Sequence, residues 1–238
     1  VRWRRSPGPS GAWSKNGRSL GESRLARPDP SAPPRLWLGP LQGACADALS
    51  AAELAWGRGL TPGRRRRYWQ SRAALRHWLA GVLDCGAATV PLHSPPGCPP
   101  RLLGGAGCVS LSHSGGALLL GFSADPIGVD LEPADRPVAA AALMRRWFPP
   151  EEVAQLCHLD PEPLRSAVLA SWVLKEAAIK WRQRSLAAEL ALWRLDHASG
   201  QLVHGRDGVQ PEARSGTTGG WRWAVVGPGA RQSSLVAA

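Results

Sequence analysis

Gly128-Val129-Asp130-Leu131-Glu132 and, further on, Ser171-Trp172-Val173-Leu174-Lys175-Glu176-Ala177-Ala178-Ile179-Lys180 are the stretches that decide how this chain is read. The first has the alternation of a strand, whose successive side chains leave on opposite faces. Val129 and Leu131 go to one side, Asp130 and Glu132 to the other. Two converging carboxylates are what a hard cation such as Mg²⁺ takes, with water and substrate phosphates completing the octahedron. Taken alone, the pair also fits a solvated strand end. The second stretch reads as a helix in which Trp172, Glu176 and Lys180 stand at i, i+4 and i+8 on nearly one face. That stripe is also what an ordinary surface Glu–Lys pair gives, worth about 0.2–0.5 kcal/mol. The flanking Trp172, Ile179 and Trp181 point instead to a partly buried helix.

Upstream, Ser112-His113-Ser114 leaves a strand into the Gly115-Gly116 turn. Neighbouring strand side chains point to opposite faces, so Ser112 and His113 cannot form a nucleophile–base pair, and there is no G-x-S-x-G elbow. A turn histidine and an anion-binding histidine both fit the position. Further upstream, a helix starting with Pro62 at its first position and running through Leu83 carries Arg64-Arg65-Arg66-Arg67 in its first turns, then Arg72 and Arg76. Its core face is Tyr68, Leu75, Trp78, Leu79 and Val82. Guanidinium runs suit solvated faces, nucleic acid or phosphate monoesters, and only some of the four can face one ligand.

The surrounding pattern predicts an α+β protein. Leu36-Trp37-Leu38 suits a strand, Ser50-Ala51-Ala52-Glu53 has capping-box form, and residues 86–108 read as an irregular crossing. Strands follow over 109–113, 117–122 and 127–131, helices over 138–147, 151–158 and 163–182, and closing strands over 190–195 and 221–226. Residues 1–34 are rich in Pro, Gly, Ser and Arg and read as a disordered basic extension. They hold seven Lys or Arg against Glu22 and Asp29, so about five of the eleven net positive charges belong to that extension. Among 238 residues, 44% hydrophobic and 20% charged composition with twelve Trp is that of a globular chain. The scattered Cys45, Cys85, Cys98, Cys108 and Cys157 fit neither a disulfide framework nor a zinc site. The absence of a spanning or signal-like apolar run points to a soluble, cytoplasmic protein.

Taken in order, the Ser-His-Ser strand end, the G-V-D-L-E strand and the W-V-L-K-E-A-A-I-K helix resemble the 4′-phosphopantetheinyl transferase superfamily. The likeness is to its larger, pseudo-dimeric type and covers roughly residues 36 to 226. The resemblance implies two similar α/β lobes in one chain, 35–125 and 126–230, with the active site in the cleft between them and 231–238 as a tail. It implies Mg²⁺ ligands at Asp130, Glu132 and Glu176, a pyrophosphate contact at Lys180, and coenzyme A contacts at Arg67, Ser112 and His113. Catalytic duty falls on Glu176 and Lys180, with Glu132 and Glu152 as alternative acceptors of the serine proton. Where the family commonly has Gly-Lys-Pro, this chain has Gly97-Cys98-Pro99, and Arg101 or an arginine of the 64–67 run would have to compensate.

The implied reaction is transfer of phosphopantetheine from coenzyme A to a serine of an acidic acyl, peptidyl or aryl carrier protein, by a monomer that binds neither membrane nor nucleic acid. A basic nucleic-acid-binding module is the competing reading from another class. A relative that only binds coenzyme A or carrier is the third.

Overall fold

A computed structural model describes residues 28–41 and 46–238, so most of the basic extension lies outside the described residues. The chain is α+β. In order, it forms β1 (Arg35–Pro40), α1 (Ala51–Arg58), α2 (Pro62–Leu83), β2 (Leu92–His93), β3 (Arg101–Leu102), β4 (Cys108–Ser114), β5 (Ala117–Ser123) and β6 (Gly128–Pro133). It continues with α3 (Ala140–Trp147), α4 (Pro150–Leu156), α5 (Pro161–Trp181), α6 (Leu186–Glu189), β7 (Trp193–Asp196), β8 (Gln201–His204), β9 (Ala213–Thr218), β10 (Trp221–Val226) and β11 (Ser234–Ala237).

Local chemistry explains the helix starts. Ser50 and Glu53 close a reciprocal capping box on α1, and Pro62 opens α2, where its missing N–H is no loss. The apolar face of α2, with Leu75 and Leu79 fully buried, packs on Val109, Leu118, Leu120 and Phe122 of β4 and β5. Arg72 and Arg76 lie on this inward side too, 7% and 2% exposed. Arg76 pairs with the buried Glu53 at 2.6 Å and donates to the carbonyls of Ala87, Ala88, Val90 and Leu92. It therefore staples α1, α2 and the crossing segment, and is a structural residue.

Two sheets form the centre, ordered β11-β1-β5-β4 and β6-β10-β9. Their inner faces meet in one cluster of Leu36, Leu38, Leu119, Val129, Leu131, Trp223 and Val225. Helix α5 covers the second sheet, burying Val173, Ala177 and Ala178 against Ala224 and Val226. Residues 231–238, expected as a tail, instead supply β11, which pairs in parallel with β1 from Arg35↔Ser234 to Leu38↔Ala237. The strands β8 and β9 also escape the sequence reading, because β9 (Ala-Arg-Ser-Gly-Thr-Thr) has no apolar alternation to announce it.

Gly128 sets how closely α5 approaches the sheet. A Cβ there would lie 1.9 Å from the Ala177 carbonyl oxygen and 2.4 Å from the Trp181 nitrogen, both helix backbone. We expect Gly128→Ala to displace α5 and destabilise the fold by about 1–3 kcal/mol, the usual range for overpacking. A urea midpoint unchanged from wild type would contradict this.

Candidate active site

The two sheets meet along a seam where β4 lies beside β6. Alternation puts Ser110, Ser112 and Ser114 on one face of β4, and each engages β6 in turn. Ser110 Oγ accepts the Val129 N–H at 3.1 Å, Ser112 Oγ donates to Asp130 Oδ1 at 2.8 Å, and Ser114 Oγ donates to Glu132 Oε2 at 2.7 Å. The carboxylates thus sit at the seam, opposite the buried Val129 and Leu131, as the strand alternation predicts.

Helix α5 brings the second motif to the same place. Lys180 Nζ lies 2.6 Å from Asp130 Oδ1 and donates to Ser112 Oγ at 3.0 Å and to the Val129 carbonyl at 3.1 Å. The ammonium is only 32% exposed and Asp130 2%, so their attraction is weakly screened. Glu132 is held by Arg136 as well as by Ser114. Glu176, one helical turn before Lys180, has its carboxyl pushed up to about 7, first by burial and next by the charge of Asp130, with Glu132 adding and Lys180 and Arg136 opposing.

A second feature opens beside the seam. A cleft of about 290 Å³ is lined by Leu60, Arg64, Arg67, Tyr68, Arg72, Pro96, Gly97 and His113. Arg65 of the four-arginine run is turned away, donating to the Arg58 and Leu60 carbonyls. Arg72 is stacked on Tyr68, 5.0 Å from the ring centroid, and its nitrogens bond Ser94 O and Ser71 Oγ, so its hydrogen bonds go to neutral acceptors. His113, which leaves β4 on the face opposite Ser112, is held below the ordinary histidine range. Partial desolvation comes first, a backbone hydrogen bond opposes it, and the positive field of Arg72, Lys180 and Arg67 adds to the lowering, although the side chain stays exposed at the cleft.

The expected site residues therefore separate into two groups. Asp130, Glu132, Glu176, Lys180 and Ser112 gather at the seam; Arg67 and His113 face the cleft. Cys98 is exposed and, like the other described cysteines, free, while Arg64, Arg67 and Arg72 rather than Arg101 line the cleft. Glu152 is fully buried against Lys175, 2.7 Å away, and stands outside both groups. Sequence reasoning missed Arg72 as a cleft residue and Ser114 as a carboxylate partner. For both, the signal was spacing: four residues after Tyr68 on a helix, two after Ser112 on a strand.

The donor set at the seam suits a hard cation. Asp130 Oδ2 is buried without a hydrogen-bond partner, and burial, with the charges of Asp130 and Glu132 adding to it, pushes the Glu176 carboxyl up to about 7. Among the described residues, no three His, Cys, Asp or Glu side chains form a preassembled metal cage. Lys180 and Arg136 meanwhile supply the countercharge to Asp130 and Glu132.

A seam of carboxylates and a lysine beside an arginine-lined cleft is compatible with an enzyme that transfers a group from a phosphorylated donor. The comparisons with known proteins define that enzyme more closely. The profile of the 4′-phosphopantetheinyl transferase superfamily matches residues 126–226. A protein of Synechocystis sp., provisionally named a 4′-phosphopantetheinyl transferase, is 31% identical over 166 residues, which span 66% of this chain and 68% of that one. The chain belongs to the 4′-phosphopantetheinyl transferase superfamily and is an enzyme of phosphopantetheinyl transfer. Among its described residues no helix is long and apolar enough to cross a membrane.

Proposed function

We propose that the enzyme transfers the 4′-phosphopantetheine of coenzyme A to a serine of an apo carrier protein, with Mg²⁺ held by Asp130, Glu132 and Glu176. The observation that carries this reading is the buried, unpartnered Asp130 Oδ2 beside two further carboxylates and Lys180. The serine Oγ attacks the β-phosphorus, the bond from that phosphorus to the bridging oxygen breaks, and adenosine 3′,5′-bisphosphate leaves. Mg²⁺, when bound, neutralises the pyrophosphate and the charge that develops during transfer. Lys180, on the same carboxylate seam, adds positive charge for the leaving phosphate. Glu176 takes the serine proton, directly or through water. Glu152, sealed in the interior, serves no such role. Arg64, Arg67, Arg72 and His113 hold the 3′-phosphate of coenzyme A, which offsets the absence of a lysine at Cys98. The net positive chain steers an acidic carrier toward the site.

The test is chromatography of the nucleotide product. Adenosine 3′,5′-bisphosphate should appear only when coenzyme A, Mg²⁺ and an apo carrier are all present, and a chelator should stop it. Release that is indifferent to Mg²⁺ would overturn the metal assignment.

Two variants separate the parts. Arg67→Ala should raise KM for coenzyme A about tenfold or more, as expected for a lost charge-assisted bond, yet leave KM for dephospho-coenzyme A unchanged. Arg66→Ala, an exposed neighbour that does not line the cleft, is the control. Arg136→Gln removes the cation that competes for Glu132, so calorimetry should show Mg²⁺ binding several-fold more tightly, on the order of the coupling between adjacent charges. Weaker Mg²⁺ binding would contradict that assignment.

A further inference from the structure

Lys175 and Glu152 are both completely buried, yet neither faces the cleft nor the seam. Lys175 Nζ lies 2.7 Å from Glu152 Oε2. Its other side rests on the ring of Phe148, 3.5 Å from the centroid. Glu152 Oε2 also accepts the Leu195 N–H at 3.1 Å, and Oε1 stands 3.7 Å from His197 Nε2. That imidazole meets Ser171 Oγ at 2.9 Å, while the His197 N–H is taken by Gln155. One carboxylate thus ties together α4, α5 and β7.

Stability does not account for such a pair. Desolvating two charges commonly outweighs their attraction, and well-packed apolar replacements of similar volume are often neutral or stabilising. What an ion pair adds over an apolar contact is direction, because hydrophobic burial is largely indifferent to small rotations and slides. Lys175 and Glu176 are consecutive, about 100° apart around the helix, so fixing the first aims the second.

We propose that Lys175 and Glu152 are positioning residues that fix the rotation and height of α5, and so hold Glu176 and Lys180 against Asp130 and Glu132. This rests on the transferase reading of the seam. A displacement of about 1 Å at a reacting centre lowers turnover about a hundredfold, which is the scale of effect the pair guards against.

The test is the full chain carrying Lys175→Met with Glu152→Leu. Its melting temperature should equal or exceed that of wild type, while kcat falls about 30- to 100-fold, KM for coenzyme A changes less than about twofold, and Mg²⁺ affinity by calorimetry drops about tenfold. Because two buried replacements can unfold a chain, Glu152→Asp is measured beside it. That variant keeps the charge but shortens the reach by one methylene, and it should show the same split between kcat and KM. Wild-type kcat and Mg²⁺ affinity in either folded variant would overturn the proposal. Failure of the transferase reading is distinguishable, since wild type itself would then leave the carrier unmodified.

Discussion

Glu176→Gln should lower phosphopantetheinyl transfer by about 10³-fold or more and, in the same protein, raise metal-free stability at pH 8. Loss of turnover follows from removing both a proposed Mg²⁺ ligand and the proton acceptor. The gain in stability follows from the raised carboxyl. In the fold this group titrates at about 7, against an ordinary value of 4.5, because burial and the charge of Asp130 oppose its ionisation. Below pH 4.5 it is protonated whether folded or unfolded, and contributes nothing to the pH dependence. Between 4.5 and 7 the unfolded chain ionises while the folded one does not, so stability falls as pH rises; above 7 the full penalty persists. That penalty is up to about 3 kcal/mol, and glutamine is free of it. The stability difference between variant and wild type should therefore be widest at pH 8 and close by pH 4 to 5. Saturating Mg²⁺ should stabilise wild type and not the variant, reversing their order.

Asp130→Asn should be equally inactive but change stability in the opposite direction. Asp130 Oδ1 accepts from both Lys180 and Ser112 in a site 2% exposed, and asparagine leaves the ammonium without its countercharge. Breaking a fully buried pair typically costs about 3–5 kcal/mol. Lys180 retains 32% exposure, so about 1–3 kcal/mol is the appropriate scale here. Two inactive variants of one centre, one stabilised and one destabilised at pH 8, would separate a carboxylate held against its preference from one held by its partners. If both variants lost stability equally, the assignment of strain to Glu176 would be wrong.

Much of this architecture was legible because it rests on local chemistry. The Ser50–Glu53 box and Pro62 mark helix starts through backbone groups within a turn, and the alternation at 128–132 declares which residues share a face. The helical stripe of Glu176 and Lys180 is local in the same way. The parts that were hidden depend on contacts distant in sequence. Nothing near Ser234 announces that it will pair with Arg35, and nothing in β4 says that its serines will bond the carboxylates of another sheet. Arg72 and Arg76 are an intermediate case. Their spacing relative to Tyr68, Leu75 and Leu79 places them on the inward side of α2, but their charge grouped them with the exposed run before them. Lys175 was masked by its neighbour: beside Glu176 it looked like one more residue of the motif, and only the packing of α4 shows that it belongs to Glu152.

The central claim is that the seam moves phosphopantetheine onto a carrier serine, and intact-mass spectrometry of the carrier tests it most directly. After incubation with the enzyme, coenzyme A and Mg²⁺, an apo carrier should gain the mass of one phosphopantetheine group, and a carrier with its serine changed to alanine should gain none. No mass increase on any fatty-acid, polyketide or peptide-synthetase carrier, from a folded enzyme with Mg²⁺ present, would contradict the account.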